Sequence, residues 1–145
     1  MALKLNWILL RVLQALLGVL FIYAGLLKHW HPEEFAEAVR AYQLLPDVLV
    51  GLAAAVLPWL EMTPGFFLIL GFKRRSCLLI LTALTAAFMT VILVSLARGL
   101  KIDCGCGLFF QRQVGLVAAL EDGLFLAWAA ALYWWEVRQA RGEQG

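Results

Sequence analysis

Charge is scarce in this sequence. Only 15% of its 145 residues are Asp, Glu, Lys or Arg, against about 25% in an average soluble domain, and the mean hydropathy is +0.85. A water-soluble globule is excluded. The 12 basic and 10 acidic side chains leave a net charge of +2, too small and too dispersed for a nucleic-acid partner. The partners left open are the lipid bilayer, a membrane-soluble cofactor or another protein. Cysteine is also scarce: there are three, and only Cys104 and Cys106 stand close enough to act together. No internal repeat is visible.

What fills the chain instead is apolar sequence. Four runs are long enough to cross a hydrocarbon core of about 30 Å, which takes about 20 helical residues. They span about 7–27, 48–72, 76–97 and 113–135. The first holds Arg11 near its start, the second is interrupted by Glu61, the third has no charge, and the fourth carries the pair Glu121 and Asp122. Lipid offers no partner to backbone N–H and C=O groups, so each run is read as a helix rather than a barrel strand. The first run exceeds the usual apolar core of a signal peptide and lacks an A-x-A cleavage site, so it is read as a retained span. The expected fold is an all-α membrane protein, one four-transmembrane-helix bundle covering residues 1–145.

Lys4, Arg11, Lys73, Arg74, Arg75, Arg138 and Arg141 fall on one side of these spans and Lys28, Arg40, Arg98, Lys101 and Arg112 on the other. The first set is larger, and its Lys73-Arg74-Arg75 cluster sits in a very short loop where the positive-inside bias is strongest. Both termini are therefore expected to be cytoplasmic. Between the first two spans, His31-Pro32-Glu33-Glu34 reads as a helix start, with Pro at the first helical position and acids in the first turn. Phe35, Val39 and Tyr42 recur at helical spacing, and Leu45-Pro46 ends the pattern. The reading is a short amphipathic helix on the outer face, acting as a lid. Small residues at helical spacing (Ala15, Gly18 and Gly25; Gly51, Ala55 and Gly65; Gly115, Ala118 and Asp122) mark the faces on which the spans approach each other.

Cys104 and Cys106 form a C-x-C pair in Asp103-Cys104-Gly105-Cys106-Gly107, between the third and fourth spans. That loop is expected outside, where a disulfide persists. Bridging two cysteines so close needs a tight turn, which the glycines permit, and a strained ring of this kind is easily reduced. Three readings stay open from the residues alone: a redox-active pair, half a metal site completed by His29 and His31, and an inert structural bridge. The helix N-terminus that follows, with Arg98, Lys101 and Arg112, favours a thiolate; Asp103 opposes it by repulsion. Cys77, near the cytoplasmic end of the third span, is expected to be a buried apolar thiol.

Glu61 lies near mid-membrane between Pro58-Trp59 and Pro64, on a helix expected to kink there. An intramembrane carboxylate is a functional candidate by default; the alternatives are a neutral buried Glu or a pair with Arg11 that locks the bundle. Asp122 shares the small-residue face of the fourth span and is preferred over Glu121 for moving protons. Lys28, at the outer end of the first span, either pairs with a carboxylate or snorkels to the surface.

Taken in order, Gly18-x-x-Phe21-x-x-Ala24-Gly25-x-x-Lys28, Phe35 with Tyr42-x-x-Leu45-Pro46, Leu57-Pro58-Trp59-Leu60-Glu61-x-x-x-Gly65 and Arg98-Gly99-Leu100-Lys101-Ile102-Asp103-Cys104-Gly105-Cys106 resemble the DoxX-like superfamily, specifically its MauE (methylamine-utilisation) branch. The match spans nearly the whole chain; it departs from the family pattern at Gly107-Leu108-Phe109 and at Glu121-Asp122. The resemblance implies a four-helix protein of a bacterial-type cytoplasmic (inner) membrane whose C-x-C exchanges disulfides with an extracytoplasmic thioredoxin-fold or disulfide-containing protein, as proposed for maturation of the small subunit of methylamine dehydrogenase. The wider superfamily's link to a thiosulfate:quinone oxidoreductase suggests a quinone. On this reading Cys104, Cys106 and Asp103 are the candidate catalytic residues. Glu61, Asp122, Trp59, Phe109 and Lys28, with Phe110, are the candidates for the quinone site. The rival expectations are a non-enzymatic carrier of a small hydrophobic or sulfur compound and a metal-binding membrane protein.

Overall fold

The computed structural model describes residues 2–99 and 116–142, and these form helices and their connections. In chain order the helices are α1 (Ala2–Trp30), α2 (Pro32–Ala41), α3 (Asp47–Leu70), α4 (Arg74–Ala97) and α5 (Leu116–Gly142). Among the described residues three helices are long and apolar enough to cross a membrane: Asn6–Trp30, Asp47–Leu70 and Arg74–Ala97. Where four such spans were expected, α5 is as long but carries Glu121, Asp122, Glu136, Arg138 and Arg141 among its 27 residues.

The helix boundaries follow from local chemistry. α1 stops where His31 must leave the helical region ahead of Pro32; its backbone sits at φ −122°, ψ 61°. Pro32 then opens α2 with Glu33 and Glu34 in the first turn, where acids meet the positive end of the helix. Gln43 takes a left-handed conformation at φ 52° and Pro46 an extended one, which reverses the chain into α3. Arg40 Nε donates to Asp47 Oδ1 at 2.9 Å, joining the end of α2 to the start of α3. α3 runs unbroken across Pro58 and Pro64 and ends at Gly71, whose φ of 78° suits glycine. Arg74 and Arg75, read from sequence as loop residues, lie in the first turn of α4.

α1 packs most extensively on α3, and α4 on α5. α1 and α3 are antiparallel, because Gly18 lies against Gly65 while Gly25 lies against Pro58. A Cβ on Gly18 would stand 2.6 Å from the Gly65 carbonyl oxygen, and one on Gly65 2.8 Å from that of Gly18, so the backbones touch directly at this crossing. α5 runs antiparallel along α4, with Ala119 packed beside Ile92 near one end and Glu136 paired with Arg74 at the other.

The small-residue seam is met only in part. Gly18, Gly25 and Gly65 face other helices, but Gly51 and Ala55 are exposed, and a Cβ on Gly51 would meet nothing within 4 Å. The buried face of α3 is instead Val50, Ala54, Pro58, Glu61, Pro64, Gly65 and Leu68. Gly115 and the side chain of Ala118 lie outside the described residues. The core gathers Leu17, Leu68, Cys77, Leu78, Leu81, Ala129 and Leu132. The hydroxyls of Thr82, Thr85, Thr90 and Ser95 donate to carbonyls one turn back in α4, so none needs water.

Candidate functional site

The site is built from the upper turns of α1 and the middle of α3. Side chains on a helix lean toward its N-terminus, so Lys28, one residue short of His29-Trp30 at the end of α1, reaches back into the bundle. Gly25 clears its path: a Cβ there would lie 2.8 Å from the Pro58 carbonyl oxygen and against Met62, so α3 comes close enough to present Glu61. The Lys28 Nζ stands 2.6 Å from Glu61 Oε1 and 2.9 Å from Oε2, with the two side chains 7% and 2% exposed. The snorkelling alternative for Lys28 is therefore not realised, nor is the pairing of Glu61 with Arg11.

Two aromatic rings complete the surroundings. The Lys28 Nζ lies 5.4 Å from the centre of the Phe35 ring and 4.8 Å from that of Phe88, where the negative faces of the rings add to the attraction. Phe35 is itself only 5% exposed and belongs to α2, which contacts α1 and α3. A single side chain of the short helix thus sits on the buried ion pair. Taking two opposite charges out of water costs several kcal/mol per ion, a cost that membrane proteins meet chiefly where ionisable groups act.

The other candidates distribute as follows. Trp59 is exposed on α3, its ring edge-on to that of His29 on α1 at 5.5 Å. Asp122 is half-buried on α5 and Glu121 exposed. His31 Nδ1 lies 3.8 Å from Glu34 Oε1 at the surface. Among the described residues no three His, Cys, Asp or Glu side chains stand together as a metal site. Cys77 is buried, its Sγ donating to the Phe72 carbonyl at 3.6 Å. Asp103, Cys104, Cys106, Phe109 and Phe110 lie outside the described residues. The residues flanking them do not: Arg98 Nη1 donates to the Tyr42 carbonyl at 3.4 Å, and Tyr42 packs with Ile92 and Ala119. The chain therefore leaves α4 and enters α5 at the end of the bundle that carries α2.

The comparisons with known proteins bear on the same stretch. Residues 6–135 match the family model of methylamine utilisation protein MauE. The chain belongs to the MauE family. It is 35% identical over 124 residues to the methylamine utilization protein MauE of Methylorubrum extorquens and 33% identical over 124 residues to that of Paracoccus denitrificans. Each alignment covers 83% of this chain and 66% of the relative, so the chain spans just under two thirds of the length of these MauE proteins. No solved structure matches it.

A second buried polar group escaped the sequence reading. Glu136 Oε1 accepts from Gln14 Nε2 at 2.6 Å and from Arg74 Nη1 at 2.9 Å, tying α1, α4 and α5 at the end opposite α2. Its signals were present: Gln14 is a polar residue within the first apolar run, and Glu136 follows directly on the last. Ion-paired polar groups thus brace the bundle at both ends, and the one under α2 is enclosed by aromatic rings.

Proposed function

We propose that this chain is a membrane thiol–disulfide exchange protein in which Cys104 and Cys106 form the exchanging pair, and that it serves methylamine utilisation as the names of its relatives indicate. The observation that carries the reading is a juxtaposition: the Asp103-Cys104-Gly105-Cys106 segment is joined to the bundle at the end that holds the buried Lys28–Glu61 pair and its Phe35 cover. Four crossings are part of the proposal. The antiparallel course of α5 along α4, from Ala119 beside Ile92 to Glu136 beside Arg74, supports α5 as the fourth. Lys73, Arg74 and Arg75 at the opposite end favour a cytoplasmic location for that end and both termini, leaving α2 and the C-x-C outside, at an oxidising surface of the inner membrane.

The exchange balances in two steps. A thiolate of an extracytoplasmic thioredoxin-fold or disulfide-containing partner attacks one sulfur of the Cys104–Cys106 disulfide; a mixed disulfide forms and the other cysteine leaves as a thiolate. A second partner thiolate then attacks the mixed disulfide, leaving the partner oxidised and Cys104 and Cys106 as a dithiol. Asp103, next to Cys104 in sequence, repels the departing thiolate and so makes the pair a milder oxidant, against the pull of the basic residues Arg98, Lys101 and Arg112. Return to the disulfide removes two electrons and two protons, and a membrane quinone supplies the acceptor for both. The donor set fits such a group in kind: a buried ammonium with three N–H donors beside a carboxylate and two aromatic faces. Lys28 and Glu61 would hold it, with Phe35 and Phe88 as the ring neighbours in place of the outward-facing Trp59, and Asp122 remains the candidate proton carrier on α5.

The test is trapping. With Cys104→Ser or Cys106→Ser made singly in cells, a non-reducing gel should show a covalent adduct with a periplasmic thioredoxin-fold or disulfide-containing protein for at least one variant, and none for the double variant. No adduct with either, together with normal activity of the double variant, overturns the exchange reading and leaves the carrier.

A further inference from the structure

At the end of the bundle opposite α2, Arg11 is a guanidinium without a counter-charge among the described residues. It belongs to the candidate span Asn6–Trp30 and is half-buried, yet among the described residues it has neither a carboxylate partner nor a hydrogen-bond acceptor. Its packing is specific. The guanidinium lies on the Cα of Gly71, where any Cβ would collide with it, and its Cζ is 5.6 Å from the centre of the Trp7 ring. The first turns of α1 and the α3–α4 turn thus make a notch with Arg11 on its wall.

Among the described residues, the free charges flanking that notch in the α3–α4 turn are positive. Lys73 and Arg75, both exposed, lie within four residues of Gly71. Among the described residues Glu136, the carboxylate held by Gln14 one turn along α1 from Arg11, is already engaged by Gln14 and Arg74. A cation held in a membrane span without a protein partner is costly, and the cost is met when a ligand brings the missing negative charge. A phosphate fits best: it accepts the two parallel N–H groups of a guanidinium fork, which a chloride or a water cannot match. Trp7, exposed at the start of the candidate span Asn6–Trp30, is the kind of side chain that gathers at the head-group level, which suits a lipid phosphate beside Arg11.

We propose that Arg11, with Lys73 and Arg75, binds the phosphate of an anionic membrane phospholipid in the notch between the start of α1 and the α3–α4 turn. The shared chemistry is a phosphate anion, and the lipid is preferred to free phosphate because the notch opens among the exposed apolar side chains Ile8, Phe72 and Leu70, which suit acyl chains.

The experiment is native mass spectrometry of the full chain in detergent, offered equal amounts of phosphatidylglycerol and phosphatidylcholine. The wild type should retain phosphatidylglycerol in preference, and Arg11→Leu should weaken that preference about five-fold, the worth of one cation near an anionic surface. Arg11→Lys should keep part of it. Lys73→Gln with Arg75→Gln, at exposed positions that tolerate change, should lower it as well, which keeps the test decisive if Arg11→Leu does not fold. An excess of inorganic phosphate should leave the lipid in place. Equal retention of the two lipids by the wild type, an unchanged preference in the variants, or displacement of the lipid by inorganic phosphate overturns the proposal.

Discussion

Lys28 and Glu61, 33 residues apart in sequence, meet with Nζ 2.6 Å from Oε1 and both side chains buried. The bond fixes how α1 and α3 slide past each other, because Gly25 and Pro58 let the helices touch only at that register. It also fixes α2, since Phe35 rests on the same ammonium.

Breaking one half of this pair is more damaging than removing it. Lys28→Met strands a carboxylate inside the bundle, as Glu61→Leu strands an ammonium, and each should cost about 3–5 kcal/mol. The double variant Lys28→Met with Glu61→Leu should recover most of that loss. Unfolding midpoints in mild detergent measure all three, and a double variant as unstable as the sum of the singles argues against a coupled pair.

The α1–α3 crossing makes a prediction with its own control. Gly65→Val places atoms where the Gly18 carbonyl lies and should force the helices apart, with a loss of at least about 1–3 kcal/mol, the usual cost of overpacking. Gly51→Val enters open space and should change the midpoint little. Equal effects at the two positions would be evidence that the close approach is absent.

Phe35 should govern the mobility of α2. Phe35→Ala removes a buried ring at a cost of about 3–5 kcal/mol, and because α2 holds few other buried groups the loss should appear locally. Trypsin should then cleave at Arg40, within α2, faster than in the wild type, while Phe35→Leu stays near wild-type rates. Unchanged cleavage in Phe35→Ala would mean that the ring does not hold the helix down.

Much of this architecture is written in local sequence. The second and third apolar runs match α3 and α4 to within two residues at each end because lipid leaves a backbone no alternative, whereas α1 begins five residues before its run and α5 ends seven residues after its own; Pro32 with Glu33 and Glu34 marks the start of α2. The pairing of Lys28 was not legible in the same way. A lysine at a span end reaches water or the interior with equal ease in sequence, and only the contact of Gly25 with α3 decides the direction. Small size alone points to Gly51 and Ala55 as packed positions on α3, but both are exposed, and Pro58 and Glu61, a proline and a charge, carry the buried face. Gln14 and Glu136 find each other across 122 residues, a separation over which no helical periodicity speaks.

The redox chemistry rests on the state and side of two sulfurs. Intact cells should be treated with a membrane-impermeant maleimide before and after a mild reductant, and the label on each cysteine read by mass spectrometry. The account predicts no label on Cys104 or Cys106 before reduction, label on both afterwards, and none on the buried Cys77 in either case. Label on Cys104 and Cys106 without reductant, or none after it while permeabilised cells label fully, would contradict an exchangeable disulfide at the outer surface.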